Sequence, residues 1–200
     1  MPVIPEAPAP LEGADKAALR KSALDRRKAL PKDIRQRFAE RLAREGLALA
    51  KRFGATTVSA FSAIGDEPDT LPLLEALAHG GFQTALPITV GRGSALIFRL
   101  WRPGEPTRAG QMNIKEPLPS ALEVDPDLLF APLAVFDRRG NRIGYGAGHY
   151  DRTLRALRAK GRAIAVGVAF SVCEAAAVPV EAHDERLDFV LTERELIATG

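Results

Sequence analysis

Cysteine is nearly absent from this chain: Cys173 is the only one in 200 residues. An intrachain disulfide and a cysteine-cluster zinc site are therefore excluded, and nothing in the sequence calls for an oxidising compartment. Long apolar runs are missing too. None approaches the roughly 20 residues that span a bilayer, and the start, MPVIPEAPAP, has neither a basic nor an apolar signal-like region. A soluble, cytoplasmic protein is expected, with residues 1–13 forming a disordered or extended Pro/Ala-rich arm ahead of one domain over 14–200. Two nucleotide-binding fingerprints are also missing, since neither G-x-x-x-x-G-K-[ST] nor G-x-G-x-x-G occurs.

Charge is present in ordinary amount but unevenly placed. The net charge is +3, yet residues 14–52 hold 13 Lys/Arg against 5 Asp/Glu. A solvated helix face is one reading of this basic half, and a basic RNA-associated surface is another. Aromatics interleaved with the cations, or a known nucleic-acid module, would favour the second; neither is present, so no nucleic-acid partner is expected. At about 100° per residue, Lys16, Arg20 and Arg27 fall within about 40° of one another and border the apolar positions Leu19, Ala23 and Leu30. Lys21, Arg26 and Lys28 point elsewhere. Cations at the edge of a buried stripe need an anion or a route to water, so a ligand phosphate and snorkelling are both open.

Hydrophobic periodicity predicts a helix from an Asp15 cap to about Leu30. A second runs from Pro31-Lys32-Asp33 to about Phe53 and ends at Gly54. ATTVSAF, QTALPIT, ALIFRLW, AIAVGVAF and a last LDFVLTE read as strands, and DLLFAPLAVFD as a strand into a loop. PDTLPLLEALAHGG and YDRTLRALRA read as helices, while residues 103–120 read as a long loop or short edge element. Strands alternating with helices predict an α/β fold with a mostly parallel, layered sheet.

The segment RIGYGAGHYDRTL, residues 142–154, holds the densest chemistry. Glycines at 144, 146 and 148 run into a helix whose first turn carries Tyr150 and Asp151. Residues without side chains let an anion reach backbone N–H groups, and the helix N-terminus adds partial positive charge. Asp151 is then either a partner of the helix dipole or a Mg²⁺ ligand facing the same phosphates.

Together these residues resemble the 5-formyltetrahydrofolate cyclo-ligase family. APLAVFDRRGNRIGYGAGHYDRTL is similar to its signature at Phe136-Asp137, Gly140, Arg142, Gly144, Gly146, Gly148 and Tyr150-Asp151-Arg152. Lys16 and Arg20, DEPDT, NIKEP and VPVEAHDERLDFVLTE resemble further family motifs in the same order. The resemblance implies a Rossmann-like α/β sandwich and a Mg²⁺-dependent reaction of ATP with 5-formyltetrahydrofolate that gives 5,10-methenyltetrahydrofolate, ADP and phosphate. By carry-over, Lys16, Arg20 and Arg142 hold phosphates, and Ile143, Gly144, Tyr145, Gly146, Ala147, Gly148, His149 and Tyr150 surround them. Asp151 and Asp184 place Mg²⁺, and Glu67, Met112, Glu116 and Tyr150 meet the folate. Arg27 extends the cationic stripe. Each has a bland counterpart: helix-entry acid for Glu67, loop solvator for Glu116, turn residue for Asp184, supporting side chain for His149. His149 and Met112 stand where the family commonly has aromatics; Trp101 either supplies the missing face or belongs to core or lid. A non-catalytic nucleotide- or folate-binding protein of the same fold is the competing class. A monomer is expected.

Overall fold

The computed structural model describes Ala9, residues 15–161 and residues 163–200, with Met112 described by its backbone alone. The expected arm therefore lies, Ala9 apart, outside the described residues.

Helix α1 spans Lys16–Lys28, and Asp15 caps it by accepting the N–H groups of Ala17 and Ala18 at 3.1 and 3.3 Å. Helix α2, Lys32–Phe53, starts after Pro31 and stops at Gly54, whose φ of 60° is the left-handed conformation that glycine adopts without strain. Helices α3 (Leu71–His79) and α4 (His149–Lys160) follow the predicted positions.

Eight strands form the main sheet: β1 (Thr57–Ser59), β2 (Gln83–Ile88), β3 (Ile97–Leu100), β6 (Glu123–Val124), β7 (Leu128–Pro132), β10 (Ile164–Val168), β11 (Phe189–Leu191) and β12 (Leu196–Ala198). Their spatial order is β12-β11-β10-β7-β1-β2-β3-β6. The five from β11 to β2 run parallel, and β12, β3 and β6 add antiparallel edges. LDFVLTE is thus not the last strand. Residues 196–198 turn back antiparallel on β11, a three-residue segment too short to announce itself by alternation. The stretch at 103–120 contains a small hairpin of β4 (Thr107–Ala109) and β5 (Lys115–Pro117), in keeping with the short edge element expected there. Strands β8 (Val135–Phe136) and β9 (Arg142–Ile143) form a second hairpin directly after β7.

Side-chain alternation across the central strands supplies both helix layers. Val58, Leu86, Leu128, Phe130, Val166 and Leu191 face Phe38 and Leu42 of α2 and Leu73 and Leu77 of α3. Ala85, Leu129, Ala165 and Val190 join Leu19 and Ala23 of α1 with Leu154 and Leu157 of α4 on the other face. Close approach on the first face depends on Gly46 of α2, where an added Cβ would lie 2.4 Å from Leu73 Cδ1 and 3.1 Å from Phe130 Cζ. Trp101 is half-buried; it packs against the edge of this α2/α3 cluster and donates its Nε1–H to Glu105 O at 3.1 Å.

The chain winds from β1 to β2 on one side of the sheet, then returns to place β7 on the other side of β1. The strand order therefore reverses between β1 and β7. In open α/β sheets the crevice beyond the carboxyl ends of the strands at such a reversal is where ligands bind.

Candidate functional site

Three loops leave the sheet at that edge. One follows β1 and carries Asp66 and Glu67; one follows β2 and reaches Thr89; the third is the β8–β9 hairpin with its glycine-rich continuation into α4. A single carboxylate braces the hairpin. Asp137 is buried and accepts the N–H groups of Arg139, Asn141 and Val178 as well as the Asn141 amide, at 2.9–3.0 Å. This role belongs to a residue that the sequence reading matched but left without a function.

The glycine-rich loop then enters α4 with Gly148 as its N-cap and no side-chain cap bond. Gly146 and Gly148 have φ values of 94° and 65°. Both need the left-handed region, and the chain reaches α4 with the helix's first N–H groups free of any capping side chain. The Arg152 guanidinium folds back on the carbonyls of Ala147 and Gly148 at 3.0 and 2.9 Å, setting the loop's curvature. His149 Nδ1 lies 2.7 Å from Ser94 O, so its ring ties α4 to the 90–96 segment.

Helix α1 lies alongside this loop with the predicted cations turned inward. Lys16 Nζ is 2.9 Å from both Glu181 and Asp184, and Arg20 Nε donates to Gly144 O at 2.8 Å. Arg142 is buried; it pairs with Asp151 at 2.6 Å and also donates to Glu185 O. Asp151 Oδ1 accepts the Glu185 N–H as well. The structure thus brings Lys16, Arg20, Arg142, Gly144, Asp151 and Asp184 into one cluster, joined through Glu181 and Glu185, two residues that the sequence reading did not single out.

The electrostatics of this cluster follow from its pairing. Burial pulls the Lys16 ammonium down, but hydrogen bonds to Glu181 and Asp184 outweigh it and leave the group above its ordinary value. Burial would raise Asp184, yet Lys16 and the Glu181 N–H hold it below the usual carboxylate range. Arg142 is lowered chiefly by burial, opposed by Asp151.

A second cluster forms at the other end of α1. Glu67 closes a turn in which its Oε2 accepts the Ile64 N–H at 3.0 Å while its own N–H donates to Ile64 O. Its carboxyl is raised above the ordinary value by burial, partly offset by the Tyr145 hydroxyl and the Ile64 N–H. Tyr150 is raised as well, first by burial and then by the Glu67 charge. Arg27 does not join the phosphate-side cations: its terminal nitrogens contact Asp66 at 3.0 Å and the Tyr145 hydroxyl at 2.8 Å.

Glu116 is buried with both oxygens engaged, accepting the Thr89 N–H at 3.2 Å and pairing with Arg108 at 3.3 Å. Its hairpin is tied to the β1 loop by the Ser62 hydroxyl on Lys115 O at 2.8 Å. Glu116 thus supports the loop after β2. Met112 sits on the short 3-10 turn at 111–113, and its side chain lies outside the described residues.

Asp151 and Asp184 offer hard oxygen donors, with Asp151 Oδ1 and Asp184 Oδ2 engaged by protein partners. Among the described residues no group of three or more His, Cys, Asp or Glu side chains could hold a metal. Two carboxylates fit Mg²⁺ as that ion is usually held beside nucleotides, by one or two acids with substrate phosphates completing the shell. No helix of the described residues is long and apolar enough to cross a membrane.

An anion-shaped loop and inward cations at the carboxyl edge of a doubly wound sheet, with the Glu67 cluster at the other end of α1, define an open α/β protein with its ligand crevice at the strand reversal. The chain belongs to the 5-formyltetrahydrofolate cyclo-ligase family, whose model matches residues 12–193. It is 31% identical over 187 residues to the 5-formyltetrahydrofolate cyclo-ligase of Mycolicibacterium smegmatis, covering 90% of this chain and 94% of that one. It is 31% identical over 172 residues to the Escherichia coli K12 enzyme of the same name, covering 84% and 94%. The solution structure of Aquifex aeolicus 5,10-methenyltetrahydrofolate synthetase superposes with a TM-score of 0.77 at 26% identity, over 92% of each chain.

Proposed function

We propose that this protein converts 5-formyltetrahydrofolate and ATP into 5,10-methenyltetrahydrofolate, ADP and phosphate. The observation that carries this reading is the division of the crevice. Lys16, Arg20 and Arg142 gather at the glycine-rich loop, and a half-buried acid, Glu67, stands with Asp66, Arg27 and Tyr145 at the opposite end of α1.

In the proposed reaction the formyl oxygen attacks the γ-phosphorus and ADP leaves. N10 then attacks the activated carbon, the C–O bond breaks, and the oxygen departs with phosphate as N10 gives up its proton. Such chemistry asks for alignment and charge neutralisation. The free amides of the 146–150 segment and the three cations receive the phosphates. Asp151 and Asp184 would hold Mg²⁺, which when bound would supply charge neutralisation for the transferring group. Glu67, with its affinity for a proton raised by burial, accepts the proton from N10 and orients the formyl group together with Tyr150. The protein acts in the cytoplasm as a monomer, with ATP and reduced folate as its partners.

The test is direct. Purified protein with Mg²⁺, ATP and 5-formyltetrahydrofolate should develop the methenyl chromophore with one ADP per product. Folded protein that gives no ATP-dependent chromophore, or equal turnover without ATP, overturns the reading.

A further inference from the structure

Arg27 is the most buried cation near the crevice, with 4% of its surface exposed, and it touches neither the glycine backbone nor the Asp151–Asp184 cluster. One terminal nitrogen holds Asp66, the neighbour of Glu67. The other donates to the hydroxyl of Tyr145, which belongs to the glycine-rich loop. The Glu67 carboxyl and that hydroxyl perturb one another's proton affinity. Arg27 thus flanks the acid on two sides, holding its chain neighbour Asp66 and the hydroxyl that responds to its charge.

The junction is locked from α2. Arg35 donates to Asp66 O at 2.6 Å and to Arg27 O at 2.5 Å, and its guanidinium lies 5.5 Å from the Phe170 ring centroid. Arg27 Nε is buried and has no hydrogen-bond partner among the described residues. An unpaired buried donor is destabilising, and an apolar side chain at this position would avoid it. Holding helices together is therefore a poor account of the guanidinium. Its planar fork, with two terminal nitrogens on two different loops, suits fixing one loop relative to the other. Tyr145 agrees with this: the residue is 47% exposed, yet its hydroxyl is held by Arg27.

We propose that Arg27 is a positioning residue which, by clamping Asp66 and the Tyr145 hydroxyl, fixes the Glu67 carboxylate toward the reduced folate. The inference rests on the folate-side reading of Glu67 given above. It predicts a lesion confined to the folate. In Arg27→Met, kcat/KM for 5-formyltetrahydrofolate should fall about 10-fold or more while KM for ATP stays within about twofold, because small displacements of an aligned group are expensive in rate. Tyr145→Phe should show the same selectivity. If Arg27 acts through Tyr145, the double variant should be little worse than the worse single one. Arg27→Lys, which keeps the charge but can hold only one loop, should recover little of the loss.

Steady-state kinetics with each substrate varied, and binding of 5-formyltetrahydrofolate alone, measure all four variants, with melting temperature recorded for each. Tyr145→Phe alters a half-exposed ring and keeps the question answerable should Arg27→Met fail to fold. Parent-like folate kinetics in Tyr145→Phe, equal losses toward ATP and folate in Arg27→Met, or full recovery in Arg27→Lys would each overturn the positioning role while leaving the enzyme reading intact. A parent protein that neither binds 5-formyltetrahydrofolate nor turns it over would overturn both.

Discussion

At the start of α1, Lys16 lies between Glu181 and Asp184, close to Arg142 with its own acid, Asp151. About three turns further along the same helix, Arg27 meets Asp66 beside an acid, Glu67, whose affinity for protons is raised by burial. The first cluster is rich in opposite charges that are half open to water. The second is built on one ion pair, and its key carboxyl is shifted the other way. One helix face therefore borders two environments, which under the proposed function would suit different tasks: exchangeable counter-charges for an incoming polyanion, and an acid of raised proton affinity for proton transfer.

The largest effect expected to sharpen this contrast is at Arg142. Arg142→Lys keeps a cation but cannot hold Asp151 and Glu185 together as a fork. Turnover should fall about 10²-fold or more, as for other positioned electrostatic groups, with the loss borne mainly by kcat and ATP affinity in steady-state assays. An equal loss in folate affinity would erase the division between the clusters.

Glu67→Gln should come next. It keeps shape and hydrogen bonding but removes the proton acceptor, so kcat should fall by about 10²-fold while ATP binding, measured by calorimetry, is retained. The acidic limb that Glu67 contributes to the pH–rate profile, placed above pH 4.5 by the direction of its shift, should vanish in the variant.

Direction along α1 gives a smaller but cleaner test. Lys16→Ala and Arg20→Ala should weaken ATP binding and turnover. Lys21→Ala and Lys28→Ala, on exposed positions of the same helix, should change both little. All four remove one charge, and exposed charges are screened over about 8 Å at physiological salt. Equal, salt-sensitive losses in all four would reduce the helix to a diffuse field.

The smallest effect is on stability, with opposite signs at the two clusters. Asp184 is held below its ordinary 3.8, so its contribution is present above that pH and is lost as pH falls through the depressed value. Glu67 is raised, so its contribution is present below its ordinary 4.5 and is lost as pH rises through the raised value. Melting curves across pH should therefore show Asp184→Asn losing ground to the parent as pH rises from acid, and Glu67→Gln gaining it. Parallel curves would mean that neither shift is real.

How much of this could be read from the chain alone depended on the range of the interaction. The Asp15 cap, the Gly54 stop and the inward phase of Lys16, Arg20 and Arg27 are local properties of a helix, and the structure agrees with them. What those cations touch was not legible. Asp66 is 39 residues from Arg27 and Glu181 is 165 from Lys16, separations that only the strand order closes. Arg27 is the instructive case. Its phase placed it correctly at the buried edge, yet its partners lie on the Glu67 side, because a helix face several turns long spans more than one site. β12 escaped because three residues carry no usable period. The Ile114–Pro117 motif had a recognisable sequence, but not the closed environment that engages both oxygens of Glu116.

That α1 packs its apolar stripe on the sheet while its cations line the crevice has a consequence for how occupancy can be observed. Ligand that binds the folded chain alone stabilises it by mass action, and the proposed anchoring groups project from a helix rather than from a loop. The amide protons of residues 19–27 should then exchange with deuterium more slowly once the crevice is filled. The first helix serves as the protein's own occupancy gauge, readable without any chemical turnover.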